Sequence, residues 1–163
     1  MAFEFIKGAI SAARNQGLKK PQKMTGAPES ITGLWLNYVA MRSHFRFSLQ
    51  EKNGLVLFSY NYLKNGYGYI ERENVPVNPA YMQELRRFVK ENDYVSLTDH
   101  DPARRKIHIA DAPSCHLTLE WLDYEPLLIR SMHLPPNGDN LKEFFIGIAE
   151  SPAPCIDRSK CFE

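Results

Sequence analysis

His44-Phe45-Arg46-Phe47-Ser48-Leu49-Gln50-Glu51-Lys52-Asn53-Gly54-Leu55-Val56-Leu57-Phe58-Ser59-Tyr60-Asn61-Tyr62-Leu63-Lys64-Asn65-Gly66 is the stretch that decides the fold. Phe45, Phe47 and Leu49 alternate with Arg46, Ser48 and Gln50, the period of a strand with one buried face. Asn-Gly then occurs twice, a strand length apart, at 53–54 and 65–66. It is the preferred centre of a type I′ hairpin turn, because both central residues need positive φ and both tolerate it. Two such turns predict a meander.

Working outward, strands are expected at 31–41, 44–51, 55–63 and 67–73. Asn78-Pro79 opens a helix: Asn caps free amides, and Pro at the first helical position has none to waste. Met82, Leu85, Phe88 and Val89 form its inward stripe, with Glu84, Arg86, Arg87, Lys90 and Glu91 toward water. Residues 92–106 are polar and read as a long loop, with an extended piece at 94–97 and a brief strand at 107–110. A second hairpin follows at 115–122 and 127–133, with Leu117, Leu119 and Trp121 on one face. Pro135-Pro136-Asn137-Gly138-Asp139 leads into a last helix over 140–149 that buries Leu141, Phe144, Phe145 and Ile148. Neighbouring strands with short turns make an antiparallel sheet, and two amphipathic helices must cover one of its faces. The expected class is α+β: a four-strand meander plus a later hairpin, with helices on one face, as a two-layer sandwich.

The flanks differ in character. Residues 1–18 form an amphipathic helical pattern, with Ala2, Phe3, Ile6, Ala9, Ile10, Ala13 and Gly17 in one arc. Residues 19–30 read as a linker, 31–150 as a single domain and 151–163 as a disordered tail. The first 28 residues carry a charge of +4 and the remainder −3. At 163 residues with a net charge of +1, 44% apolar and 24% charged, the chain is globular in composition. Neutral charge balance argues against nucleic acid as a partner. No apolar run approaches a membrane span; peripheral contact through the N-terminal helix, with Lys19, Lys20 and Lys23 beside it, is the most a membrane reading receives. Charges within the first seven residues and three unpatterned cysteines point to a cytoplasmic protein with free thiols.

The meander with Phe-Arg-Phe-Ser-Leu-Gln-Glu-Lys-Asn-Gly, the Asn-Pro-capped helix ending Val-Lys-Glu-Asn-Asp, the strand Ile-Ala-Asp-Ala-Pro-Ser-Cys-His-Leu-Thr-Leu-Glu-Trp and the Pro-Pro-Asn-Gly before the final helix resemble a group of small uncharacterised bacterial proteins. The resemblance covers about residues 31–150. It implies a bacterial origin and a similar α+β domain, and it carries over no functional residue.

Nucleotide-loop, esterase, zinc-protease and C-x-x-C signatures are all missing, and nothing in the sequence asks for a cofactor. Two constellations remain. His100, His108, Asp111 and His116, with Asp99, Asp101 and Cys115 among them, place three of the five histidines within seventeen residues. Imidazole and carboxylate are a standard metal set, but the spacing matches no regular geometry. This is the basis of an alternative reading as a metal-dependent or small-ligand enzyme.

The second constellation is aromatic. Phe58, Tyr60 and Tyr62 share one strand face, and Tyr67 and Tyr69 lie across the turn. Such rings stack on each other within a sheet, or anchor a partner, because Tyr is amphipathic and stiff. Tyr60, Tyr62, Tyr67 and Tyr69 are therefore the protein-binding candidates. The expected function is a non-catalytic protein-binding module, of immunity or inhibitor type, whose partner is another protein or a second copy.

Overall fold

A computed structural model describes residues 25–64, 66, 68–98 and 112–151. The first Asn-Gly turn forms as its sequence demands. Lys52 pairs with Leu55, and Asn53 and Gly54 take φ of 52° and 76°. The strands it joins, β2 (Ser43–Lys52) and β3 (Leu55–Lys64), lie between β1 (Ile31–Ala40) and β4 (Gly68–Val77). The later hairpin, β5 (Ser114–Trp121) and β6 (Leu127–Ser131), joins the other edge of β1. All pairings are antiparallel, and the sheet order is β4-β3-β2-β1-β5-β6.

Helix α1 (Ala80–Glu91) starts where Asn78 Oδ1 accepts from the Ala80 amide at 3.0 Å. Helix α2 (Gly138–Glu150) follows the double proline. Both lie on one face of the sheet. Phe145 of α2 stacks on Phe47 at 5.2 Å and on Phe58 at 5.9 Å between ring centroids. Met82, Leu85 and Val89 of α1 join Ile31, Leu34, Leu36, Leu117 and Leu119 in the same buried cluster. The α+β two-layer expectation is met. Burying this many large side chains, at roughly 1.5–3 kcal/mol each, is what holds the layers together.

Several local expectations are revised. Arg86, expected in water, is half-buried: its Nε–H donates to the Ile31 carbonyl at 2.9 Å and its Nη2 to Glu51 at 2.6 Å. A long side chain buries its stem and spans to polar atoms beyond the apolar stripe. Of residues 94–97, Leu97 alone is extended. Tyr94–Ser96 is a 3-10 turn, and Tyr94 is fully buried. Phe88 and Phe144 are half-buried rather than core. The described end of the expected linker is packed, since Pro28–Ser30 is a 3-10 turn and the Ala27 carbonyl accepts from Trp121 Nε1 at 2.9 Å. The expected helix at 1–18, strand at 107–110 and tail from 152 lie outside the described residues.

Candidate binding surface

In an antiparallel ladder, paired residues share a face, so the register maps the side that the helices leave open. One row across it reads Thr118, Trp35, Ser48 and Ser59; the next reads His116, Asn37, Arg46, Asn61 and Glu71. A third reads Ser114, Val39, His44, Leu63 and Tyr69.

The first two rows are polar apart from Trp35. They form a shallow cleft of about 270 Å³ between Trp35, Gln50, Asn61 and Glu73. Trp35 fits because its neighbour two residues back is Gly33: a Cβ there would stand 2.6 Å from Trp35 Cζ3. Arg46 Nη2 reaches Glu71 at 3.5 Å in an exposed pair of little energetic weight. Asn37 Oδ1 and Asn61 Oδ1, on either side of Arg46 in the row, are buried and have no hydrogen-bond partner among the described residues.

The third row carries three exposed apolar side chains beside Ser114 and His44. Val39 is 43% exposed, Leu63 37% and Tyr69 57%. His44 lies between them, its ring 5.9 Å from that of Tyr69. Side chains of this kind, contiguous on a flat sheet, are what an interface core is made of.

Of the tyrosines expected to act together, Tyr60 and Tyr62 share the covered face, their rings 5.9 Å apart, and Tyr69 does not. Tyr62 belongs to the core, beside Phe47, with its hydroxyl donating to Glu150 at 3.5 Å. Burial, followed by the Glu150 carboxylate, raises its pKa. Tyr60 is half-buried on the same covered face, its ring 5.3 Å from Phe58. Tyr69 is on the opposite face, because Lys64 pairs with Gly68 and the connection is one residue longer than a two-residue turn. A shift of one residue exchanges the faces of a strand. Tyr67 lies outside the described residues.

Of the histidine set, His100, His108 and Asp111 lie outside the described residues, and His116 stands exposed on the open face opposite Asn37. Cys115, on the other face of the same strand, is buried, which pushes its thiol up to about 11. Among the described residues, no group of three His, Cys, Asp or Glu side chains is placed to hold a metal ion. No helix among them is long and apolar enough to cross a membrane.

A deeper cavity of about 390 Å³ opens on the helix-covered side, at the outer edge of the sheet. Phe58, Val75, Val77 and Ile148 form apolar walls, with Tyr60, Arg72, Asn78 and Tyr81 at polar positions. It exists because β4 carries a bulge. Phe58 pairs with Val75 and Tyr60 with Arg72, leaving Glu73 and Asn74 opposite Ser59 alone. Asn74 takes a left-handed φ of 53°, and its amide donates to Ser59 Oγ at 2.9 Å. The sequence reading did not select Trp35 or Tyr81. Alternation signals the first, since Leu34 and Leu36 point inward; nothing local signals the second. Comparison with protein-family models, with curated proteins and with solved structures gave no match for this chain.

Proposed function

We propose that this chain is a non-catalytic protein-binding module that takes its partner on the open face of the sheet. The observation that carries this reading is the apolar row Val39–His44–Leu63–Tyr69, exposed on a face from which both helices are absent. Aromatic and branched apolar side chains there would supply the anchor, and the polar cleft beside Trp35 would supply hydrogen bonds around it. Arg46 and Arg72 against Glu71 and Glu73 leave that cleft without net charge, which favours a protein over a nucleic-acid backbone. The bacterial origin, cytoplasmic home and immunity-type or inhibitor-type role expected from the sequence belong to the same reading.

The test is a photo-crosslinking amino acid placed at Tyr69 or at Glu84, expressed in the source cell. Glu84 is exposed on α1, away from the open face. The expected result is one discrete adduct from position 69, absent from position 84, and abolished by Leu63→Ser. Equal labelling from both positions, or none from position 69, would remove the open face as the working surface.

A further inference from the structure

We propose that the cavity between β3, β4 and the two helices is a binding site for a small amphipathic monoanion: an aliphatic or aromatic body carrying one carboxylate or sulfonate. Its volume of about 390 Å³ falls in the range of small-molecule sites, which are mostly apolar with a few placed polar groups. The lining here is divided about equally between polar and apolar surface. Phe58, Val75, Pro76, Val77 and Ile148 offer an apolar body its walls.

The polar groups at the cavity share one preference. Arg72 pairs across the strands with Tyr60 and so stands on the cavity's side of β4. Among the described residues its guanidinium has no ion-pair partner, and the cavity lining includes no carboxylate. Of the neighbouring carboxylates, Glu71 lies on the open face with Arg46, and Glu73 lines the open-face cleft that Arg72 also borders. Glu150 of α2 is engaged by Lys64 at 3.5 Å. Tyr81, in the first turn of α1, brings a hydroxyl whose contact is Ser151 Oγ at 3.5 Å, at the cavity rim. The amino end of the twelve-residue α1 borders the cavity through Asn78 and Tyr81, adding partial positive charge to that of Arg72. A cation, phenolic donors and apolar walls, with no carboxylate in the lining, select a ligand with one negative head and an apolar body. Arg is suited to this because its planar fork holds a carboxylate by two parallel hydrogen bonds.

The cavity borders the open-face cleft at Tyr60 and Arg72 but is walled on the helix-covered side, and its test does not depend on a protein partner. Decanoate and the uncharged decanol would be titrated into the full chain, followed by amide chemical shifts and calorimetry. The expected result is saturable decanoate binding with shifts clustered at Tyr60, Arg72 and Tyr81. Arg72→Gln, an exposed position, should weaken decanoate about tenfold while leaving decanol unchanged, one lost charge-assisted contact. Ala149→Phe, which fills the cavity from α2, should abolish both. Absence of saturable decanoate binding to the unmodified chain overturns the proposal. So does decanoate binding that is indifferent to Arg72→Gln, or shifts confined to other residues even if Ala149→Phe fails to fold.

Discussion

The hydroxyl of Tyr94 donates to the carbonyl of Pro136 at 2.6 Å, from a ring that is fully buried. It joins the segment leaving α1 to the segment entering α2, and its ring meets Phe88 edge-on at 5.9 Å. The two helices are thereby fixed to one another through their connecting segments as well as through the sheet. Tyr94→Phe, which strands the Pro136 carbonyl, should cost about 1–2 kcal/mol. Tyr94→Ala should cost about 3–5 kcal/mol through the cavity it leaves. Urea unfolding of both variants would check the split: a cost for Tyr94→Phe close to that of Tyr94→Ala would mean that the hydrogen bond outweighs the ring.

Arg86 performs a similar task at the other end of the sheet, holding α1 to the Ile31 carbonyl and to Glu51. Removing the guanidinium leaves a shielded carbonyl and a carboxylate without their donor. Arg86→Met keeps most of the apolar stem and should destabilise by about 1.5–3 kcal/mol. Arg86→Lys should recover less than half of this, since an ammonium cannot reproduce the fork. Thermal unfolding of the pair of variants provides the comparison; a neutral Arg86→Met would show the contact to be incidental.

Tyr94 and Cys115 set the alkaline limit. Burial raises both pKa values, that of Cys115 to about 11. The unfolded chain ionises first, so stability is fully present below the ordinary thiol value near 9 and is lost as pH rises through about 11. The urea midpoint should therefore hold from pH 7 to pH 9 and fall between pH 9 and pH 11, less steeply in Cys115→Ala. Iodoacetamide at pH 8 should leave the Cys115 peptide unmodified until denaturant is added, read by peptide mass spectrometry.

Glu120 stands beside Gly33 in the ladder, and partial burial raises its pKa, with Lys52 working in the opposite sense. Its neutral form is favoured in the fold, a contribution present at acidic pH and lost as pH rises through the folded-state value. Glu120→Gln should raise Tm at pH 7 by a small amount, on the order of 1 °C, because the site is largely solvated. The gain should vanish toward pH 4. A lower Tm at pH 7 would mean that the Lys52 attraction dominates.

Much of the architecture could be read from local chemistry. Asn53-Gly54, the Asn78-Pro79 start of α1 and the Leu117-Leu119-Trp121 alternation each specify their own geometry within a few residues. The candidate surface was less legible, because it depends on parity carried across several strands. Asn65-Gly66 has the same pair of residues as the first turn, yet Lys64 pairs with Gly68 and Tyr69 changes face. Tyr62 has the sequence surroundings of Tyr60, and its contacts with Phe47 and with Glu150 of α2 accompany its burial. Arg72 and Tyr81 meet at a cavity because of a bulge at Asn74, a left-handed residue that no hydrophobic period announces.

That bulge has a bearing on how the molecule meets its own kind. β4 is an outer strand, and an outer strand offers unpaired amides and carbonyls to any extended chain that drifts past. Here the invitation is withdrawn. Glu71, Arg72 and Glu73 put charge along the rim, Pro76 deletes a donor, and the kink at Asn74 bends the remainder out of line. At the opposite rim β6 runs for only five residues. Among the described residues, both rims of the sheet are thus blunted as templates for ribbon growth from chain to chain.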